Sequence, residues 1–407
     1  MKILIVDCFA TIRSTGKIST LQYEHMKKQG HDVRLCYRGI REPKVDNPDY
    51  IPVAGNIEPY VGYFFTRLLG YEGVFHPLAT KRMIRETEKF KPDVVQLNIL
   101  HGMFINSSEY IKYLNANDIP VCYTMMDEYA YMGRCAYSYE CNQFLTGCKG
   151  NCPNLNKYPI SWFFDRSKYS WEKKNEAYKG FKNIAFTGPG WVVDRAKRSA
   201  LLIGKNIIEL DEPVNFGNVF YPKDTNELRM QLGIPKENKV IVSVAQLLDP
   251  RKGGKYVFEV AKFLENRKDI TFVYVGCDAP APLETSNLIK IPFVKSQEKL
   301  ADYYSLGDLF ICTSLADTMP NVCIDALGCG TPLAGFAEAG TPYVAPKEFG
   351  IFTPTYDIEA LAKVIVDTPK KDKDRIKACH EYAVGRYSPE VILAKLENIY
   401  KELLNNK

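Results

Sequence analysis

The sequence contains no long hydrophobic run and no strong excess of charge of either sign. No apolar stretch approaches the roughly 20 residues of a membrane-spanning helix. The opening segment, MKILIVDCFA, is interrupted by Asp7, whereas a secretory signal needs a longer apolar region and a small-residue cleavage site. We therefore expect a cytoplasmic protein. Its formal net charge of +5 over 407 residues is too small to indicate a nucleic-acid-binding protein.

The small positive excess is concentrated in one segment. Between residues 157 and 205, eleven Lys and Arg residues face four acidic residues. A solvated helix face is the simpler interpretation. The alternative is a surface that meets anionic lipid headgroups or a lipid pyrophosphate, which would bring the protein to the inner face of the cytoplasmic membrane.

Cysteine, in contrast, is plentiful, with twelve residues. Eight of them lie in apolar surroundings that are typical of buried, reduced thiols. The other four, Cys135, Cys141, Cys148 and Cys152, fall in one Gly-rich loop at 133–153. Four thiolates in a short loop suit a structural, tetrahedral zinc site without an open position for catalysis. Because their spacing is looser than that of paired CxxC knuckles, unliganded thiols are the alternative.

Two halves of the chain repeat one plan of alternating strands and helices. The first half begins with the apolar segment KILIVDC, and the second restarts with NKVIVSVA after a linker at 211–225. Such alternation predicts, in each half, a parallel sheet covered by helices on both faces. We expect a first domain at 1–212, a second at 213–385 and a terminal helix at 386–407. Ligands of such sheets bind beyond the carboxyl ends of the strands, so the cleft between the domains is the expected site.

The segment ADTMPNVCIDALGCGTP carries Asp317 and Asp325, eight positions apart. Pro320 predicts the first turn of a helix whose free N–H groups, near Asn321 and Val322, form a site for a diphosphate. Asp325, about one and a half turns into this helix, is placed to accept hydrogen bonds from ribose hydroxyls, and Asp317 from those of a sugar. A surface helix with Asp317 as an ordinary N-cap and Asp325 in solvent is the alternative.

A second segment, QLLDPRKGGKYV, follows a predicted strand and so falls at the same edge of the sheet. Arg251 and Lys252 would offer charged donors to the same diphosphate. Gly253 and Gly254 permit close approach of the backbone. A basic turn before a helix is the alternative. Since no acidic pair suggests a catalytic metal, we expect a leaving diphosphate to be stabilised by these cations and by helix N–H groups.

Residues 313–336 and the segment SVAQLLDPRKGG together resemble the donor-binding half of the GT-B glycosyltransferases of family 4, which are retaining, metal-independent enzymes. RSTGKI, VVQLNILHG, MMDEYAYMGRC and WFFDRSK are similar to the branch that builds bacterial capsule, colanic-acid-like or O-antigen polysaccharides. The resemblance implies an α/β protein of the GT-B fold, with two Rossmann-like doubly wound domains facing a central cleft and a C-terminal helix crossing back to the first domain. The first would be the acceptor domain and the second the nucleotide-sugar donor domain.

The resemblance also implies a role for each motif in binding a UDP- or GDP-sugar. The second aspartate would bind the ribose, the first aspartate the donor sugar, and Lys252 with Arg251 the diphosphate. Backbone after a strand would face the base, and Gly16 in RSTGKI would approach the diphosphate and the sugar. The implied donor-binding residues are Gly16, Arg251, Lys252, Pro292, Phe293, Asp317, Thr318, Met319, Pro320, Asn321, Val322 and Asp325.

The chain departs from the family pattern at several positions. Both family glutamates are aspartates here, and each is shorter by roughly 1.5 Å. The histidine usually credited with acceptor activation or donor-sugar contact is replaced by Met126. Asp127 and His101 remain as candidate catalytic residues, with Asp127 at a strand's carboxyl end as a candidate general base. The alternatives are a structural histidine and a carboxylate that anchors its own loop.

These observations predict a hexosyltransferase-type enzyme that transfers a sugar to a glycan acceptor, carried on a polyprenyl diphosphate, during cell-surface polysaccharide synthesis. The rival prediction is a non-catalytic homologue that binds a nucleotide-sugar or a partner enzyme and scaffolds polysaccharide assembly. The lost histidine and the shortened acids motivate that rival. An epimerase would need cleft acids, and a phosphorylase a pyridoxal-binding lysine context, that the sequence does not show.

Overall fold

Seven parallel strands form the sheet of the first of two units. The computed structural model describes residues 1–40, 42–43, 45–102, 104–278 and 280–405, and this unit comprises Met1–Pro213 and the C-terminal segment from Ile392. In the order β3-β2-β1-β4-β5-β6-β7, the strands are β1 (Lys2–Asp7), β2 (Asp32–Tyr37), β3 (Tyr50–Pro52), β4 (Val94–Leu97), β5 (Val121–Thr124), β6 (Ile184–Gly188) and β7 (Asn206–Glu209). The helices between them are α1 (Arg13–Lys28), α2 (Glu58–Leu69), α3 (Pro77–Phe90), α4 (Ser107–Ala116), α5 (Ser167–Tyr178) and α6 (Gly190–Arg198).

The second unit, Val214–Val391, repeats the plan with six parallel strands. In the order β10-β9-β8-β11-β12-β13, they are β8 (Lys239–Val244), β9 (Ile270–Val275), β10 (Leu288–Ile291), β11 (Leu309–Cys312), β12 (Leu333–Phe336) and β13 (Gly350–Thr353). The helices are α7 (Asn226–Gln231), α8 (Gly254–Phe263), α9 (Gln297–Leu306), α10 (Asn321–Gly328), α11 (Ile358–Asp367) and α12 (Lys373–Tyr387), and the final helix α13 (Pro389–Asn405) belongs to the first unit from Ile392 onward.

The central strands are apolar at successive positions because helices cover both faces of each sheet. β1, with the sequence KILIVD, is buried from Ile3 to Asp7, and β8 is buried over most of its length. In each sheet the strand order reverses beside the first strand, between β1 and β4 in one unit and between β8 and β11 in the other. These reversals are the positions at which doubly wound sheets open to ligands.

The last helix, α13, packs on the sheet of the first unit. Leu393, Leu396 and Leu403 on its apolar face join Ile3 and other residues in one buried cluster. The hydroxyl of Tyr400 donates a hydrogen bond of 2.8 Å to the Gln96 side chain on β4. The predicted return of the C-terminal helix to the first unit is thus confirmed. Within the ranges described, neither α13 nor any other helix is long and apolar enough to cross a bilayer.

The fold class predicted from the sequence is confirmed, and the differences are local. The helix expected to open at a proline and close at a glycine is α10, Asn321–Gly328, with Pro320 as its N-cap. The segment NIAFTGPGW at 183–191 indicates a strand followed by a turn; the strand is β6, but the turn was wrong, because Pro189 is the N-cap of α6. Proline is well tolerated at the start of a helix, so the Gly-Pro-Gly sequence marks a helix beginning here. The short strands β3 and β13 were not predicted.

Candidate functional site

A cavity of about 280 Å³ opens at the carboxyl edge of the second sheet. The ends of β8, β9 and β11 form its floor, and residues from three later segments form its walls. Gly276, just after β9, has a φ of +106°, and a Cβ placed there would lie 2.1 Å from the carbonyl oxygen of Ala245. Only glycine therefore lets these two strand ends approach at the cavity floor. The residues lining the cavity include Ser243, Gln246, Lys252, Gly276, Phe293, Val294, Tyr304, Cys312, Thr313, Ser314, Val322 and Asp325.

The loop that carries Lys252 is fastened to the end of β11. Asp249 accepts a hydrogen bond from the N–H of Arg251 and so begins a short 3-10 helix over Pro250–Lys252. The Thr313 hydroxyl donates to the carbonyl of Gly253 at 3.0 Å, and the Leu315 N–H donates to the carbonyl of Arg251 at 2.8 Å. These bonds hold the base of the Lys252 side chain at the cavity wall.

Lys252 and Asp317 form an ion pair at the cavity. The ammonium nitrogen of Lys252 lies 2.5 Å from a carboxylate oxygen of Asp317, and both side chains are partly buried. The backbone carbonyl of Asp317 also accepts a hydrogen bond from the Gly340 N–H. The Asp317 carboxylate balances the charge of Lys252, so the site does not contain an unpaired cation when no ligand is bound. An incoming anionic group can replace this carboxylate beside Lys252.

The N-terminal half of α10 completes the cavity. Val322 and Asp325 line it, one from the first turn and the other from the second turn of the helix. The Oδ1 atom of Asn321, at the first helical position, is buried without a hydrogen-bond partner among the described residues. Tyr304 lines the cavity close to Asp325: burial first, and then this carboxylate, raise the pKa of Tyr304 well above its usual value. Free helix N–H groups, a cation and a carboxylate therefore converge on one space.

The other predicted donor-binding residues of this unit lie around the cavity in different environments. The ring of Phe293 is about half exposed and lines the cavity, while its N–H donates to Asp278 at 2.8 Å. Pro292 is exposed. The guanidinium of Arg251 is directed to Asp249, at 3.1 Å, and to the carbonyl of Ala316. Thr318 and Met319 are buried just before the N-cap of α10.

Gly16 lies in the other unit and is buried in the first turn of α1. A Cβ at this position would lie 3.0 Å from the Cβ of Phe9 and 3.1 Å from the carbonyl carbon of Ala10. The glycine therefore has a packing reason of its own, because α1 lies tightly against the loop that follows β1. Its approach to a donor stays a prediction.

The two candidate catalytic residues, His101 and Asp127, contact each other. The Nε2 atom of His101 lies 2.6 Å from Oδ2 of Asp127, and Nδ1 lies 2.9 Å from the hydroxyl of Tyr158. The second oxygen of Asp127 accepts the N–H of Tyr129 at the start of a short 3-10 helix. Burial alone would lower the pKa of His101, but the adjacent carboxylate of Asp127 outweighs it and the pKa is raised. Both residues follow neighbouring strands, β4 and β5, and that position in the sequence was the available signal for their pairing.

A polar network also lies at the carboxyl edge of the first sheet. The Asn98 amide donates to Ser19 at 2.7 Å and to Gln22 at 2.8 Å, and it accepts from Gln96 at 2.8 Å. Ser19 in turn donates to Asp7 at 2.6 Å, and burial raises the pKa of Asp7 to about 7. The sequence did not reveal this network, in which the polar groups satisfy one another inside the protein.

The four-cysteine loop does not form the predicted zinc site. Within the described ranges, no group of three or more His, Cys, Asp or Glu side chains is placed to hold a metal ion. Cys135 hydrogen-bonds to Cys152, and this contact lowers the pKa of Cys152 to about 7, whereas burial raises the pKa of Cys148 to about 11. The prediction of structural zinc therefore finds no support.

Comparison with known proteins confirms the expected resemblance. Residues 238–369 match the family described as "Glycosyl transferases group 1". The chain is 24% identical over 268 residues to "Putative colanic acid biosynthesis glycosyl transferase WcaC" of Escherichia coli K12, which covers 64% of the chain and 63% of that protein. The chain thus spans less than two thirds of the length of this curated relative.

Solved structures agree with the fold. A glycosyltransferase from Rickettsia africae superimposes with a TM-score of 0.66 at 15% identity, covering 100% of this chain and 99% of that one. The Anabaena protein Alr3699/HepE, solved in complex with UDP-glucose, superimposes with a TM-score of 0.61 at 12% identity over the full length of both chains. The fold predicted from the sequence is therefore that of solved glycosyltransferases.

Proposed function

We propose that the chain is a retaining glycosyltransferase that takes its sugar from a UDP- or GDP-sugar. The premise is that residues 238–369 belong to the group 1 glycosyltransferases. The acceptor would be a glycan, carried on a polyprenyl diphosphate, in the synthesis of a cell-surface polysaccharide. The observation that carries the proposal is the cavity lined by Lys252, Asp325 and the start of α10, with Asp317 paired to Lys252.

Each part of the cavity suits one part of such a donor. The diphosphate would take the place of Asp317 beside Lys252 and receive the N–H groups at the start of α10. Asp325 would accept hydrogen bonds from the ribose hydroxyls, and the half-exposed ring of Phe293 offers a surface for the base. Asp317, once released from Lys252, would bind hydroxyls of the donor sugar. Gly16 keeps its proposed donor contact on the resemblance alone.

The chemistry asked of this site is stabilisation of a leaving group. As the bond between the sugar and the diphosphate breaks, negative charge grows on the diphosphate oxygens, and Lys252 with the helix amides would stabilise it. The family relation supports a reaction without a catalytic metal ion. We retain Asp127 as the candidate base for the acceptor hydroxyl, with His101 as the partner that holds its charge.

The likeness to the colanic-acid protein and the complex of the Anabaena protein with UDP-glucose support this assignment. The basic segment at 157–205 supports an acceptor at an anionic membrane surface. The sequence around the two aspartates supports a hexose-type donor only by resemblance.

A non-catalytic role is the second candidate, and one observation favours it. Met126, which replaces the usual histidine, is buried, and the neighbouring Asp127 is bonded to both His101 and the backbone of Tyr129. A carboxylate occupied in this way fits an anchor for its loop as well as a base. Such a protein would bind the nucleotide-sugar and serve as a scaffold for polysaccharide assembly.

A panel of nucleoside diphosphates and nucleotide-sugars separates these functions. We expect UDP or GDP, and their sugars, to raise Tm in a thermal-shift assay more than AMP or inorganic pyrophosphate do. With the stabilising sugar, we expect slow release of the nucleoside diphosphate in the presence of EDTA. If no nucleoside diphosphate raises Tm, the donor site is wrongly assigned. Stabilisation without any release or transfer would favour the scaffold.

A further inference from the structure

Outside both sites, the first unit carries a group of exposed aromatic and aliphatic side chains on α2 and on the loop before α5. On α2 and its N-cap the exposed positions are spaced three or four residues apart, so they form one face of the helix. A contiguous apolar surface of this kind indicates a binding site, unlike single exposed residues. We define the aromatic patch as Ile57, Tyr60, Val61, Phe64, Phe65, Trp162, Phe163 and Phe164, all of them exposed, with Phe163 at 69%.

The two segments of the aromatic patch are fastened to each other. The Trp162 N–H donates to the carbonyl of Arg67 at 2.7 Å, and the rings of Phe64 and Trp162 meet edge to face at 6.0 Å. Gly70 ends α2 with a φ of +79°, and a Cβ there would lie 2.3 Å from the carbonyl oxygen of Phe164. The loop therefore presents its rings from a fixed backbone position, which lowers the entropy cost of binding through them.

Cations are placed next to the rings. The guanidinium of Arg67 lies 4.3 Å from the ring centre of Tyr63. That of Arg166 lies 4.8 Å from the ring centre of Tyr71 and 5.5 Å from that of Phe164. Arginine held on aromatic faces keeps N–H groups for phosphate oxygens, which it binds in a bidentate manner.

The acids of the same two segments are occupied by backbone amides. Glu58 accepts the N–H groups of Leu78 at 2.6 Å and Ala79 at 3.0 Å, at the start of α3. Asp165 accepts those of Cys152 at 2.7 Å and Ser167 at 2.8 Å, the latter at the start of α5. Over 57–69 and 157–168 these two acids face four cations, so the two segments carry a net charge of +2.

We propose that the aromatic patch docks the protein on an anionic phospholipid bilayer. Trp, Tyr and Phe beside Arg and Lys form the composition of the membrane interface, where rings enter the headgroup region and cations meet lipid phosphates. The net positive charge favours this partner over a second copy of the chain, because two such patches would repel each other. The purpose of the contact rests on the lipid-linked acceptor of the proposed function, but the contact itself requires no donor.

Vesicle co-sedimentation of the full chain tests the proposal. The protein should pellet with vesicles of phosphatidylcholine and phosphatidylglycerol and remain in the supernatant with phosphatidylcholine alone. F163S combined with F164S should lower the partition coefficient at least roughly tenfold. K157Q and K168Q should each lower it about fivefold, and added salt should remove that difference. Brominated lipids should quench Trp162 fluorescence in the wild type.

Matched measurements make each outcome decisive. I203S changes another exposed apolar residue of the same unit, at 74% exposure, and should bind vesicles like the wild type. An unchanged Tm shift with nucleoside diphosphate would show that the aromatic variants remain folded, and it separates this proposal from the donor site. Equal binding to both vesicle types, equal binding by the aromatic double variant, or a change in oligomeric state on its substitution would overturn the proposal.

Discussion

The strand order is the same at the carboxyl edges of the two sheets, but the polar side chains there have different environments. At the edge of the first sheet, Gln96 and Asn98 are saturated by internal hydrogen bonds, and His101 is paired with Asp127. At the edge of the second sheet, Lys252 and Asp325 line a cavity of about 280 Å³. The strand order alone therefore does not determine whether the polar side chains at the edge of a sheet bond to one another or line a ligand cavity.

The difference lies in the loops that follow the strands. In the second unit, glycines bring backbone close to backbone and leave the space above the strand ends free, as Gly276 does beside Ala245. In the first unit, side chains from α1 and α13 reach over the strand ends, as Ser19 and Tyr400 do. A buried polar network stabilises and specifies a fold when it is complete, whereas an ion pair beside a cavity, such as that of Lys252 with Asp317, can be exchanged for a ligand. The comparison predicts that substitutions at one edge change stability and those at the other change affinity.

The largest effect is expected for Gly253→Ala. Gly253 has a φ of +64°, and its Cβ would lie 1.9 Å from the carbonyl oxygen of Thr313, so the Lys252 loop must move. We expect a loss of about 3 kcal/mol or more in the free energy of unfolding, together with loss of nucleotide binding. Gly233→Ala is the matched control, because it has the same φ and nothing within 4 Å, and should cost about 1 kcal/mol. Urea unfolding of both variants gives the difference; equal losses would show that the close approach carries no weight.

Lys252→Ala should leave the fold nearly intact and weaken nucleotide binding strongly. A diphosphate in the cavity would lose its nearest cation and would face the Asp317 carboxylate, which lies 2.5 Å from Lys252 in the wild type. We expect the Kd of the preferred nucleoside diphosphate to rise roughly 30-fold or more, measured by calorimetry. Lys255→Ala, three positions on and exposed, should have no such effect. An unchanged Kd in Lys252→Ala would remove the cavity from consideration as the donor site.

Asn98→Ala is the counterpart of Lys252→Ala at the edge of the first sheet, where polar side chains bond to one another. It removes an amide that bonds to Ser19, Gln22 and Gln96 in the core. We expect a loss of about 2 kcal/mol or more of unfolding free energy, because these buried partners lose their hydrogen bonds, and no change in nucleotide Kd. Asn117→Ala removes an exposed bond to the carbonyl of Tyr113 and should cost much less. A large rise in Kd on Asn98→Ala would erase the contrast between the two edges.

The sequence predicted the site residues at the edge of the second sheet better than the polar network at the edge of the first sheet. Lys252 lies in the loop between β8 and α8, and Val322 and Asp325 lie in the first turns of α10, positions that local sequence marks. Thr313 and Gly276 were not predicted as site residues, although each directly follows a strand of the structure. The network around Asn98 joins residues as far apart in sequence as Gln96 and Tyr400, and no local pattern encodes such a contact.

At the level of the fold, apolar strands and the longer helices were predicted, and two strands were not. The sequence predicts a helix near 107–116, and α4 occupies Ser107–Ala116. β3 (YIP) contains a proline and β13 (GIFT) begins with a glycine, residues that are depleted in strands, so neither segment is recognisable as an apolar strand. For the Cys-rich loop, spacing along the chain does not fix whether the four thiols converge on one point, and no metal-binding group is found there among the described residues. Pairing and burial depend on tertiary packing, which sequence patterns specify only in part.

Asp325→Asn tests which residue of the cavity binds the ribose, and we expect a smaller change in Kd than for Lys252→Ala. The carboxylate is proposed to accept from ribose hydroxyls, and a charged acceptor contributes about 1.5 kcal/mol or more per pair. We expect roughly a tenfold rise in Kd for the ribonucleotide and almost no change for its 2′,3′-dideoxy analogue. Asp278→Asn, near the base-facing Phe293, is the control and should affect both nucleotides alike. An equal effect of Asp325→Asn on both nucleotides would place the ribose elsewhere.

The smallest expected effect concerns the pH dependence of stability that arises from the His101–Asp127 pair at the edge of the first sheet. The carboxylate of Asp127 raises the pKa of His101 against the effect of burial, so protonation of His101 stabilises the folded state. This stabilisation is complete below the unfolded pKa of about 6.5 and is lost as pH rises through the higher folded pKa. Asp127→Asn keeps the bond to Tyr129 but removes the charge, so the pKa of His101 should fall and about 1 kcal/mol of stability should be lost on the acidic side of that window, with little lost above it. NMR titration of the imidazole signals checks this, with the other four histidines as internal controls; a His101 titration that is the same in both proteins would show that the pair is held by packing and not by charge.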